Sequence, residues 1–137
     1  MMISDSIENS FGLTDMTVDK ERLAAKFSSE FNVGMTGFYD NEVLGCAGII
    51  MPWRHVGIAW ALISQKGREH KFFVHRAVKF YLYQYIQRLQ LRRVEANVIA
   101  DLNVARRWAR SLGFREESMM IKYGPNGETY MRYVMFP

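Results

Sequence analysis

Hydrophobic positions change period several times along the chain, and each change marks an element. Over 15–30, Leu23 and Phe27 fall one turn apart, Thr17 or Asp19 can cap, and Asn32 and Gly34 follow, which predicts a helix. Residues 33–39 and 43–51 are β-type runs joined by Asp40-Asn41-Glu42, a hairpin pattern. Pro52 is expected to stop the second strand, because proline cannot donate to a ladder. Residues 56–64 are apolar almost throughout, as in a strand covered on both faces. Residues 65–71 read as a polar loop running into a helix. From Val74 the apolar positions Val78, Tyr81, Leu82, Tyr85, Ile86 and Leu89 keep helical spacing. Residues 93–100 alternate as a strand. Asp101 or Asn103 then caps a short helix with Ala105, Trp108, Ala109 and Leu112 on one face, and Gly113 ends it. Residues 114–123 and 129–136 make a last hairpin around Gly124-Pro125-Asn126-Gly127. The order αβββαβαββ predicts an α/β (α+β) sandwich: a mixed, mostly antiparallel sheet of about six strands with helices on both faces.

Length and composition narrow the class. The chain has 137 residues, 49% of them hydrophobic, which suits one domain over 1–137 with residues 1–14 as a flexible lead-in. No apolar run reaches the roughly 18 residues of a membrane span. The first nine residues carry acids and serines, unlike a secretory signal, so a cytoplasmic protein is expected. The lone Cys46 excludes an intrachain disulfide and reads as a small buried hydrophobe. Three histidines without ligand-like spacing predict no metal site. A net charge of +4 suits a phosphate-bearing ligand, an acidic partner or nucleic acid equally well.

Three stretches carry a resemblance. D-L-N-V-A-R-R-W-A-R-S-L-G-F, residues 101–114, resembles the segment after the fifth strand of the GNAT acyl-CoA N-acyltransferases, a short helix closing on Leu-Gly-Phe. P-W-R-H-V-G-I-A-W-A-L-I-S (52–64) and Y-G-P-N-G-E-T-Y-M-R-Y (123–133) are similar to tailed-phage GNAT-like proteins, a group that includes an internal virion protein of short-tailed phages. The likeness runs from Val33 to the end of the chain.

The resemblance implies acetyl-CoA as cosubstrate, no metal, and direct attack of an amine on the thioester in a ternary complex. Its diphosphate loop maps to Gln65, Lys66, Gly67, Arg68, His70 and Lys71. The family's second loop glycine is absent, and Glu69 adds an opposing charge. Trp60, Ala61, Leu62 and Ile63 would offer backbone to the pantetheine arm while their side chains serve as core. Asn103 would face the coenzyme tail at the start of its helix. The family's usual glutamate and tyrosine are missing, which leaves a water relay, His55, Tyr123 or Tyr130 as candidate proton handlers, each of the three side chains with a structural hydrogen-bonding alternative. Phe72, Phe73, Phe80, Tyr81, Tyr83 and Tyr85 cannot all share one apolar stripe, so core plus a homodimer contact is expected on the long helix.

Three functions stay open: an acetyltransferase acting on an unidentified amine, a non-catalytic GNAT-fold phage component that binds a protein partner, and a small nucleic-acid-binding module. The last is the weakest, since no RNA-recognition signature accompanies the aromatics. The protein would then sit in a host cytoplasm or, if phage-encoded, in a virion.

Overall fold

A computed structural model describes residues 32–137; the helix expected over 15–30 and the lead-in before it lie outside the described residues. The elements are β1 (Asn32–Tyr39), β2 (Glu42–Trp53), β3 (Val56–Ile63), α1 (Gln65–Glu69), α2 (Lys71–Arg88), β4 (Arg93–Ile99), α3 (Asn103–Ser111), β5 (Arg115–Met120) and β6 (Tyr130–Met135). They form one six-stranded sheet in the order β1-β2-β3-β4-β6-β5. All neighbours are antiparallel except β3 and β4.

Asp40 and Asn41 both take left-handed φ, 48° and 64°, and Tyr39 pairs with Glu42. The connection is therefore a two-residue turn, for which Asp and Asn are suited. Pro52 does not end β2. The register shifts between Ile50 and Trp53, and pairing resumes at Trp53 with Val56. Proline sits inside this irregularity, where no ladder donor is required of it.

Alternation sorts the sheet into two faces. Ala59, Ala61 and Ile63 of β3, Val94, Ala96 and Val98 of β4, and Met131, Tyr133 and Met135 of β6 share one core. Val74, Val78, Leu82 and Ile86 of α2 and Ala105 and Ala109 of α3 pack into it. Both helices thus cover the same face. They also bond directly: Tyr83 OH donates to Leu112 O at 3.0 Å, and Trp108 Nε1 donates to His75 Nδ1 at 3.0 Å. On the opposite face Trp60, Leu62 and Tyr130 form a second, smaller cluster, with Cys46, Ile50, Ile99 and Met120 against it.

Polar contacts lock α3 to the sheet. Arg106 donates through Nε to Tyr133 OH at 3.1 Å, through one terminal nitrogen to Ala100 O at 3.1 Å, and through the other to Glu116 at 2.8 Å. Arg110 also reaches Glu116, and Tyr133 OH donates to the same carboxylate at 3.2 Å. Gly113 then turns the chain at φ 106°, as expected for a left-handed helix end.

Arg106 first and Arg110 second hold the Glu116 carboxyl down at about 2, against an ordinary 4.5. A carboxyl depressed by folding stabilises the fold above its ordinary value, and that contribution disappears as the pH falls toward the lower one. Glu116→Gln is therefore expected to melt below wild type near neutral pH. The gap should close as the pH approaches about 2, in thermal melts followed by circular dichroism.

Candidate active site

The parallel ladder between β3 and β4 is short. Val56 pairs with Arg93, Gly57 with Val94 and Ile58 with Glu95, and there it stops. Beyond it each strand remains paired on its other side, β3 with β2 as far as Ile63 and β4 with β6 as far as Ile99. The sheet therefore forks. Backbone of 59–63 lines one side of the opening and backbone of 96–99 the other. Helices begin at both strand ends: α1 directly after β3 and α3 shortly after β4. The carboxyl ends of adjacent parallel strands, with helix starts beside them, make the ligand crevice of open α/β sheets.

Trp60, Ala61, Leu62 and Ile63 all lie on β3 within the fork, and their side chains are buried. They alternate between the two clusters, so what they present to β4 is main chain.

The expected polar loop after β3 is instead helical from Gln65. Ser64 explains the difference. Its hydroxyl donates to Val43 O at 2.6 Å and accepts from Gly67 N at 3.1 Å, capping α1 and tying it to β2. Ser64 N also donates to Leu44 O at 2.9 Å. A serine followed by a polar run is a cap signal that the apolar strand before it hides.

Gly67 is buried against β2, where a Cβ would lie 2.0 Å from Leu44 O. Its glycine is thus required by packing. Arg68 N and His70 N donate back into the helix, to Ser64 O at 3.0 Å and Lys66 O at 3.2 Å. First-turn Gln65 and Lys66 have no intrahelical acceptor for their amides. Among the loop side chains, Lys66 stands between Glu42 (4.0 Å) and Glu69 (3.9 Å), and Arg68 is half-buried and already partnered. The His70 ring lies 4.4 Å from that of Tyr39, and the Lys71 ammonium lies over Phe72. Asn103 is the first residue of α3 and exposed; the cap position is Leu102, and neither Asp101 nor Asn103 makes a capping bond. The chain bends at Leu102 by backbone geometry alone.

The three candidate proton handlers are scattered. His55 precedes β3, at the closed end of the fork, with the eight-residue strand between it and Ser64, or roughly 30 Å. With φ 68° it shapes the β2–β3 turn, and its carbonyl accepts from Arg92 N at 2.8 Å. Its ring Nδ1 lies 2.9 Å from Gln90 O, in donor geometry. Tyr123 is exposed after β5 and meets Tyr130 edge-on at 5.4 Å between ring centres. Tyr130 is 1% exposed, pairs with Ile99 and Met120, and packs with Trp60 and Leu62. Its hydroxyl has no hydrogen-bond partner. Burial, then the charge of Glu128, push it up to about 12.

On Tyr130's face of the sheet the charges are already matched. Glu95 faces Arg132 Nε at 3.3 Å and Arg93 at 3.6 Å, and Arg93 also bonds Glu117. Among the described residues no group of three metal-ligating side chains forms, and no helix is long and apolar enough to cross a membrane. Phe72, Phe73, Phe80, Tyr81 and Tyr83 of α2 all keep exposed surface, Tyr83 even while it bonds Leu112, so the apolar stripe is too narrow for all the helix's aromatics.

Substituting the wedge residue tests this construction. Gly67→Ala forces its methyl into a backbone carbonyl, which cannot swing aside as a side chain would. A loss of about 1–3 kcal/mol is expected, read from urea denaturation midpoints.

No family model matches the sequence, and no curated protein matches it significantly. Solved structures do. A ribosomal-protein-alanine N-acetyltransferase from Brucella melitensis aligns with a TM-score of 0.77 at 14% identity, over 98% of this chain and 89% of that one. A GNAT-family acetyltransferase from Bacillus anthracis gives 0.75 at 17%, over 97% and 83%. A spermidine N-acetyltransferase variant from Vibrio cholerae gives 0.71 at 15%, over 85% and 72%. At these identities the likeness is one of architecture, and the architecture this chain shares with them is the GNAT acetyltransferase fold.

Proposed function

We propose that the protein transfers an acetyl group from acetyl-CoA to an amine by direct attack in a ternary complex. The observation that carries this is the fork: the ladder between β3 and β4 stops at Ile58 and Glu95, in the middle of a sheet, while each strand stays paired on its far side. A pantetheine arm is an extended chain of amides, and it completes such a ladder as a short extra strand. The backbone of Trp60, Ala61, Leu62 and Ile63 would receive it. The first-turn amides of Gln65 and Lys66, with the side chains of Lys66, His70 and Lys71, would meet the diphosphate. Gly67 would shape that corner by its packing, Arg68 would brace it, and Asn103 would face the tail from α3. In the reaction the amine nitrogen bonds the acetyl carbon, the carbon–sulfur bond breaks, and the surplus amine proton ends on the departing sulfur. The solved neighbours named for spermidine and ribosomal-protein alanine acetylation suit an amine acceptor in general.

A second use is favoured by one observation. Gly67, Arg68 and His70 engage their amides within α1 and its cap, which leaves fewer donors for phosphate than an open glycine loop has. A phage-borne protein kept for contacts alone would tolerate that.

Isothermal titration of the full chain with acetyl-CoA, and with its 3′-dephospho form as control, separates the two. Micromolar binding that Lys66→Ala weakens about three- to tenfold is the expected result. No heat and no thermal shift at millimolar ligand would leave the contact role standing.

A further inference from the structure

Tyr130 occupies an unusual position. It stands on β6, on the far side of β4 from β3, yet packs with Trp60 and Leu62 of β3. Its side chain therefore crosses β4 on the face opposite the helices and arrives beside the fork. The approach is enforced from behind. Gly124 passes so close that a Cβ there would lie 2.9 Å from the tyrosine ring, and the Tyr123 ring covers its edge. Between these walls the phenol is 1% exposed, and its hydroxyl has no hydrogen-bond partner.

A buried hydroxyl without a partner weakens a fold, and phenylalanine would fill the same space without that cost. Keeping the hydroxyl makes sense where a ligand supplies the acceptor. Resting on the acetyltransferase reading, we propose that Tyr130 donates a hydrogen bond to the thioester carbonyl oxygen of acetyl-CoA and holds the oxyanion that forms there. When the amine attacks, the carbonyl π pair moves onto oxygen, and the charge meets the Tyr130 hydroxyl. Collapse returns that pair and expels the sulfur. Tyr130 keeps its proton throughout.

The chemistry of the group favours this role over proton donation. Burial and Glu128 push the phenol up to about 12, so it is a neutral donor at any physiological pH. A thiol ionises near 8.5, so passing the phenol's proton to a departing thiolate would be uphill by more than a thousandfold. A hydrogen bond to an alkoxide-like oxygen needs no such transfer. The neighbouring Glu128 carboxylate accepts from Asn126 N at 3.1 Å and belongs to the turn.

The test compares wild type and Tyr130→Phe by melting temperature, by titration with acetyl-CoA and with CoA, and by release of CoA thiol from acetyl-CoA with and without a panel of amines. The proposal expects Tyr130→Phe to melt at or above wild type. CoA affinity should be unchanged, the KM for acetyl-CoA nearly so, and kcat lowered about 10²–10³-fold. An unchanged kcat overturns it, as does a lowered melting temperature with both ligands weakened alike, which marks a structural hydroxyl. Wild type that binds acetyl-CoA but releases no thiol above the uncatalysed rate also overturns it, while leaving coenzyme binding intact. Wild type that binds neither ligand overturns the acetyltransferase reading itself.

Discussion

An opening inside a β-sheet exists only if the strands beside it are prevented from closing it. Here the restraint comes from the far sides. β3 follows β2 along its length, and Ser64 fastens its end to Val43 and Leu44 just past the last pair. β4 follows β6 from Val94 to Ile99. Three residue pairs join the two halves, and His55 closes the base by receiving the amide of Arg92. α3 is clasped to the second half by Arg106, Glu116 and Tyr133, while α2 bridges both through the shared core. Buried main-chain donors and acceptors that the ladder between β3 and β4 does not reach call for a partner, because leaving them dry would be costly.

Much of the architecture was legible as periodicity. Alternation placed Val94, Ala96 and Val98 on one face, and helical spacing placed Val74, Val78, Leu82 and Ile86 on one stripe. Those patterns are written by burial, which acts on every residue of an element. Single-residue events were harder. Pro52 looked like a strand end because a proline rule says nothing about a bulge that excuses it. Ser64 looked like the last strand residue because its capping role depends on where β2 lies. Leu102 gave no signal at all, since it turns the chain by dihedral angles alone.

The candidate site was legible in its frame and obscure in its chemistry. The loop after β3 was located, but Gly67 reads the same in sequence whether it admits a phosphate or a neighbouring carbonyl, and only the proximity of Leu44 O separates these. His55, Tyr123 and Tyr130 were equal candidates along the chain. Folding sets His55 at the base of the sheet, Tyr123 in solvent and Tyr130 in the interior. Sequence names groups that can bear protons; it does not say which of them the fold leaves without a partner.

The outer rim of the sheet shows the opposite policy toward unpaired backbone. β5 is the edge strand after β6, and it reads Arg115-Glu116-Glu117-Ser118 before its two methionines. A register shift lies between Glu116 and Ser118, and arginines from α3 and β4 pin the two carboxylates in place. A kinked edge whose charges cannot swing away is a poor template for another copy's strand. Self-association by continuous strand addition is thus discouraged at this rim, which keeps the β5 side of the sheet from extending into a second copy.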